Sequence, residues 1–277
     1  MTTEILNGLG KRKKVFPPVG SCIYCGEREG TLGEEHIIPF GLGGNLILPK
    51  ASCPKCSDIT GRQVEGEVLN AHWGTYSSPR LRLNLPTRKP KKRPEQRTIK
   101  ITDANGETRT VTVKASEAPL AFLGFTTEHA RPGVLRGAEP SDRFTGSIWL
   151  KYDTDDVHKL AKPGENFDGV GRFSPLTYGR MICKIAHSLA VAEYGLDSFA
   201  PYLPDLILGK SNHLMQYVSA QASPEPDNHG LHNLHIGWLE KATPAYLVAY
   251  VRLFCSFGTP DYMVVVGRRR PDPAGPA

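Results

Sequence analysis

Four cysteines stand in two pairs, Cys22/Cys25 and Cys53/Cys56, each pair with two residues between its members and 27 residues between the pairs. At this spacing four thiolates can close a tetrahedral shell around a structural Zn2+, since each pair brings two sulfurs from one tight turn. Gly26 after the first pair and Pro54 inside the second are turn residues where two zinc knuckles need them. The competing reading is four unrelated buried thiols. Between the pairs runs LGEEHIIPFGLGGN, from Leu32 to Asn45, in which Glu35-His36 sets a carboxylate beside an imidazole. An imidazole that titrates near neutral pH can take a proton from water. Carboxylates beside it offer oxygen ligands to a hard divalent cation such as Mg2+, which would polarise a scissile phosphate and stabilise the leaving oxygen. Asp58 and Glu65, after the second cysteine pair, are further candidate ligands. The chemistry these residues point to is metal-dependent hydrolysis of a phosphodiester bond in nucleic acid. Strict strand alternation puts Glu34 on the face of His36 and Glu35 on the other, so the choice between these two carboxylates stays open. Glu65 reads equally as the exposed face of a helix.

The elements that must position these groups follow in order. Glu35-His36 leads into two β-branched residues and a proline, a short strand. A glycine-rich loop returns the chain to Leu46-Ile-Leu48, a second strand, and Ser57 to Leu69 can form a helix carrying Asp58 and Glu65. Zinc would fasten the segment before the first strand to the start of that helix.

Charge favours a polyanion as the partner of this region. The 277-residue chain carries 34 Lys and Arg against 28 Asp and Glu. Residues 1–115 hold 19 against 11, and residues 116–277 hold 15 against 17. The excess gathers in an N-terminal arm, 1–20, with Lys11, Arg12, Lys13 and Lys14, and in a Pro-rich stretch, 79–97, with Lys91, Lys92 and Arg93. These residues and Arg62 are candidates for contact with a phosphate backbone, DNA foremost and RNA by the same chemistry. The competing reading is solvated surface charge. No run of 18 apolar residues is present, which excludes a membrane-spanning helix, and the N-terminus shows no secretory signal, so a cytoplasmic protein is expected.

The rest of the chain reads as a mixed domain of unknown role. Thr98–Thr102 and Thr108–Lys114 alternate with period two around Asn105-Gly106, a β-hairpin signal. Leu120–Gly124 and Ser147–Tyr152 are short strand candidates. Ser174-Pro175 opens a helix with an apolar stripe through Met181, Ile182, Ile185, Ala186 and Leu189 that stops at Gly195. Tyr246–Phe254 is apolar on all sides and is assigned to a strand for its aromatic and β-branched content, as is Tyr262–Val266. Cys183 and Cys255 read as core packing, His229, His232 and His235 as surface and strand histidines, and Tyr76, Tyr178, Trp149 and Trp238 as core or interface aromatics. The fold class is α+β. The expected organisation is a basic arm (1–20), a zinc-bound unit (21–78), a basic, extended connector (79–97), a mixed domain with a long helix and antiparallel strands (98–267) and a frayed tail (268–277).

The two cysteine pairs, Glu35-His36-Ile-Ile-Pro39, Leu42-Gly-Gly44 and Asn45, in this order, resemble the HNH endonucleases with a zinc-stapled ββα-metal motif, over about residues 20–70. The resemblance implies a general base at His36, an acidic metal ligand at Glu35, and a loop-ordering asparagine that positions the histidine at Asn45. The chain departs from the family just after the second cysteine pair. There the family usually places a metal-binding Asn or His on the helix, and this chain has Ser57, followed by Asp58. The implied function is a metal-dependent endonuclease; the alternative is a zinc-stapled nucleic-acid-binding or adaptor module without catalysis, which Ser57 favours.

Overall fold

The computed structural model describes residues 6–7, 13–72, 79–86, 95–152, 159–168, 173–222, 225–226, 230–240 and 245–270. Lys11, Arg12, Tyr76, Lys91, Lys92, Arg93 and His229 lie outside the described residues. The fold is α+β, with an N-terminal strand-loop-strand-helix unit followed by antiparallel sheets and one long helix.

Strands β1 (Leu6–Asn7) and β2 (Lys14–Val15) precede the unit. Its hairpin pairs β3 (Gly33–His36) antiparallel with β4 (Leu46–Ser52), and β2 adds parallel to the other edge of β4. Pairing runs on past the first strand, since Ile37 N donates to Leu46 O at 3.0 Å. The glycine loop between the strands is sterically dictated. Gly43 sits at φ 85° and closes the turn Phe40–Leu42, and a Cβ on Gly44 would lie 1.9 Å from the Ile38 carbonyl oxygen. The helix after the hairpin starts at Pro54, with proline in its first turn, and winds as α through Asp58. From Ile59 to Glu65 it widens to a π-helix.

Strands β5 (Gln96–Thr102) and β6 (Thr108–Lys114) form the expected hairpin, with the Asp103 carboxylate accepting from the amides of Asn105 and Glu107. Strands β7 (Ala121–Thr127) and β8 (Gly146–Tyr152) pair, and β9 (Asn166–Asp168) adds to β5. The main sheet is antiparallel, ordered β1, β12 (His232–Leu239), β13 (Tyr246–Leu253), β14 (Asp261–Arg269). β10 (Phe199–Pro201) and β11 (Val218–Gln221) share the far edge of β14 at successive positions.

The long helix spans Pro175–Tyr194, capped where expected: Ser174 Oγ accepts from Thr177 N at 3.1 Å, and Gly195 ends it. Its apolar stripe covers β13 and β14, and its other side packs on the helix Ile59–Glu65. Met181, Ile182, Ile185, Ala186 and Leu189 are fully buried, each large aliphatic side chain stabilising the fold by about 1.5–3 kcal/mol. Because both sides are covered, Lys184, His187 and Ser188 are fully buried as well. One continuous core joins Ile37, Ile38 and Leu42 to this helix and to the main sheet.

Two expectations differ from the structure. The stretch from Pro79, expected to run extended, begins with a helical turn, Pro79–Arg82. Its arginines are held by main-chain acceptors: Arg80 donates to Gly41 O (3.1 Å) and Leu69 O (3.3 Å), and Arg82 to Ser116 O (2.6 Å). At the other end β14 continues through Arg268 and Arg269, paired with β10 and β13, so the chain is ordered beyond the expected start of the tail.

Two buried histidines tie the two parts together in their neutral form. His187 Nε2 donates to Ile23 O at 2.7 Å. His232 Nε2 donates to Leu42 O at 2.8 Å, while its Nδ1 accepts from Phe254 N at 3.2 Å. Burial lowers both pKa values to about 4. The unfolded chain therefore binds more protons than the folded one between about pH 6.5 and 4, and stability falls as pH drops through that window, by roughly 3 kcal/mol per histidine. Thermal midpoints measured by circular dichroism are expected to fall between pH 7 and pH 5, and His187→Gln and His232→Gln to flatten that dependence. A profile unchanged by both substitutions would refute the assignment.

Candidate functional site

The four cysteines converge. Cys22, Cys25, Cys53 and Cys56 bring their sulfurs within 4.8 Å of one another, and among the described residues this is the one group of three or more His, Cys, Asp or Glu side chains that could hold a metal ion. Cys25 and Cys53 sulfurs lie 3.7 Å apart. That is the edge of a tetrahedron with Zn–S bonds of about 2.3 Å and far beyond a disulfide bond. Local structure sets this geometry. Gly26, at φ 79°, turns the first knuckle so that its amide donates to Cys22 O, and Cys53 stands at the N-terminal cap of the helix that carries Cys56. The donor set fits zinc, with four sulfurs and no position left open for chemistry.

Glu35 and His36 sit at the end of β3, past a register shift between Gly33 and Glu35, and pair in succession with Leu48 and Ile47, so their side chains leave the strand on opposite faces. Glu35 is buried, at 6% exposure, while Glu34 is exposed and His36 half-buried. The His36 ring meets Phe40 edge-on at 5.8 Å. Half-buried Asn45 immediately precedes β4, and its main-chain oxygen accepts from Lys14 N at 3.0 Å.

The buried carboxylate meets a partner that sequence reasoning did not single out. Lys184, on the long helix and fully buried, places Nζ 2.5 Å from Glu35 Oε1 and 2.7 Å from Glu65 Oε1. It also donates to the main-chain oxygens of His36 and, at 3.5 Å, Ile37. Burial alone would push the ammonium pKa down, but the two carboxylates outweigh it and the pKa is raised. Burial pushes the Glu35 pKa up, against the pull of Lys184. Removing one partner from such a buried cluster typically costs about 3–5 kcal/mol, because a charge is left uncompensated. The one sequence signal for Lys184 was a charged residue within the otherwise apolar run Met181-Ile-Cys-Lys-Ile-Ala186.

The remaining sequence candidates lie apart from this cluster. Asp58 is exposed and ion-paired with Arg62 at 2.7 Å, and the Arg62 side chain is 83% exposed. Lys13 is exposed, and Lys14 lies over the Phe16 ring and 3.7 Å from Glu193. Of the three histidines near the C-terminal end, His232 is a core residue bonded through both ring nitrogens and His235 lies half-buried in β12.

Residues 22–72 match a family model described as HNH endonuclease. This segment is similar to the HNH endonucleases. The match holds both cysteine pairs, Glu35-His36, the glycine loop and the helix with Glu65. No curated protein and no solved structure matches the chain. The HNH segment implies a nuclease-type function, and no helix among the described residues is long and apolar enough to cross a membrane.

Zinc bound by the HNH segment should be inseparable from its folding. Elemental analysis is expected to find one zinc per chain. Cys56→Ser should lose that zinc and lower the thermal midpoint. A metal-free wild-type chain with an unchanged midpoint would overturn the structural role.

Proposed function

We propose that this chain hydrolyses phosphodiester bonds of nucleic acid, DNA foremost, with His36 as general base. The observation that carries the reading is the position of His36: a half-buried imidazole at the end of β3, inside the HNH segment and, along the chain, between the two cysteine pairs. Its imidazole would act as the base that takes a proton from water, whose oxygen then attacks phosphorus. The P–O bond to the leaving oxygen breaks, and that oxygen is protonated from solvent. Exposed Arg62 and Lys13, with the basic residues Lys11, Arg12, Lys14, Lys91, Lys92 and Arg93, would track the backbone through salt-dependent contacts. RNA offers the same bond and stands as the second substrate class.

HNH endonucleases usually use a divalent ion, and Mg2+ suits carboxylate oxygens. Glu35 and Glu65, as arranged around the Lys184 ammonium, do not fit such an ion. Neutralisation of both carboxylates, with Ser57 after the second cysteine pair, favours the second reading: a zinc-stapled nucleic-acid-binding module without catalysis.

Nicking of supercoiled DNA, with an RNA arm, separates the two readings. Wild type is expected to cleave with Mg2+, Mn2+ or Ni2+, measured against a chelator control that leaves the zinc in place, and His36→Ala to lose about 10²–10⁴-fold in rate at unchanged zinc content. Binding without cleavage in every arm would leave the module reading standing, and undiminished cleavage by His36→Ala would remove the mechanism.

A further inference from the structure

The oxygen cage around Lys184 is what a hard cation would ask for. Two carboxylate oxygens and a main-chain oxygen take the three ammonium protons, and a second main-chain oxygen lies at 3.5 Å. The cage is drawn from both strand and helix of the HNH segment: Glu35 and His36 from β3, Ile37 just after it, and Glu65 from the π-helical turn. Lys184 itself arrives from outside that segment, 147 residues on from Ile37. At 2.5 and 2.7 Å from the two carboxylates, the nitrogen leaves no room between them for an ion that binds oxygen at about 2.0–2.1 Å. A divalent cation entering beside it would also meet a like charge in a buried setting.

We propose that Lys184 is the resident cation of this site: its ammonium fills the place between Glu35 and Glu65 that a divalent ion would take, so the carboxylate pair binds no metal. In that place the ammonium acts as a positioning group. It holds the Glu35 carboxylate and the His36 main chain together, and so fixes the strand end from which the His36 side chain projects. The helix is anchored on the same side one turn later, where His187 donates to Ile23 O between Cys22 and Cys25. The part of the chain beyond residue 98 thereby supplies an internal group of the HNH segment.

The proposal rests on the HNH reading only for the expectation of a metal, and its test reads metal rather than cleavage. Mn2+ is titrated into the full-length, zinc-loaded protein and followed by electron paramagnetic resonance. Samples are wild type, Glu35→Gln, Lys184→Ala and the Lys184→Ala/Glu35→Gln double variant, each checked for zinc content and circular dichroism. Wild type is expected to show no Mn2+ site that depends on Glu35. Lys184→Ala, where folded, is expected to gain one, and the double variant to lose it again. A wild-type Mn2+ site abolished by Glu35→Gln would overturn the proposal whether or not Lys184→Ala folds. A folded Lys184→Ala that gains no Mn2+ would overturn it too. A wild-type site that survives Glu35→Gln supports it, because the ion is then held elsewhere. Absence of cleavage by wild type would sink the nuclease reading and leave these outcomes untouched.

Discussion

A charge buried away from water has to be paired, and in this protein one ammonium meets that requirement for two carboxylates at once. Lys184 lies at full burial between Glu35 and Glu65 and also bonds the main chain at His36. Much of the geometry depends on that contact. Glu35 can face inward only because a cation waits there, and with Glu35 inward the successive pairing of Glu35 with Leu48 and His36 with Ile47 sends His36 to the opposite face. The half-buried imidazole and the buried acid are two consequences of one strand alternation.

The long helix is the element that enforces this arrangement. Its cap at Ser174 and its end at Gly195 set its length, and its apolar stripe anchors it to β13 and β14. On its other side Lys184 and His187 reach the HNH segment at the strand end and at the cysteine knuckle. His232, from the main sheet, holds the glycine loop at Leu42. These three side chains, one ammonium and two neutral imidazoles, serve as internal fasteners rather than as contacts for an outside anion. The charge excess of the first 115 residues is likewise partly spent inside the fold, since Arg80 and Arg82 bond main-chain oxygens.

Legibility in the sequence tracked the range of the interaction. The cysteine cluster was readable because each cysteine pair is bound to one local turn. The glycine loop, the hairpin around Asn105-Gly106 and the Ser174 cap were readable for the same reason: their determinants lie within a few residues of each other. Strand assignment for Tyr246–Leu253 followed from β-branched and aromatic content; Leu247, Ala249, Val251 and Leu253 are buried on one face, while Tyr250 on the other is exposed. Glu65 was ambiguous because its partner, Lys184, is 119 positions away, and periodicity within one helix says nothing of what another helix brings to it.

By itself the sequence determined the α+β class, the four-cysteine set that could hold a metal ion and the likeness of residues 22–72 to the HNH endonucleases, because turn chemistry, caps and ligand spacing are encoded in neighbouring residues. Only the tertiary structure decided which face each acid took, that Lys184 stands between Glu35 and Glu65, and that His187 and His232 are neutral core donors. Burial is a property of how distant segments pack. Burial sets whether a charge needs a partner and whether a histidine keeps its proton, so those outcomes could not be read until the long helix and the main sheet were in place.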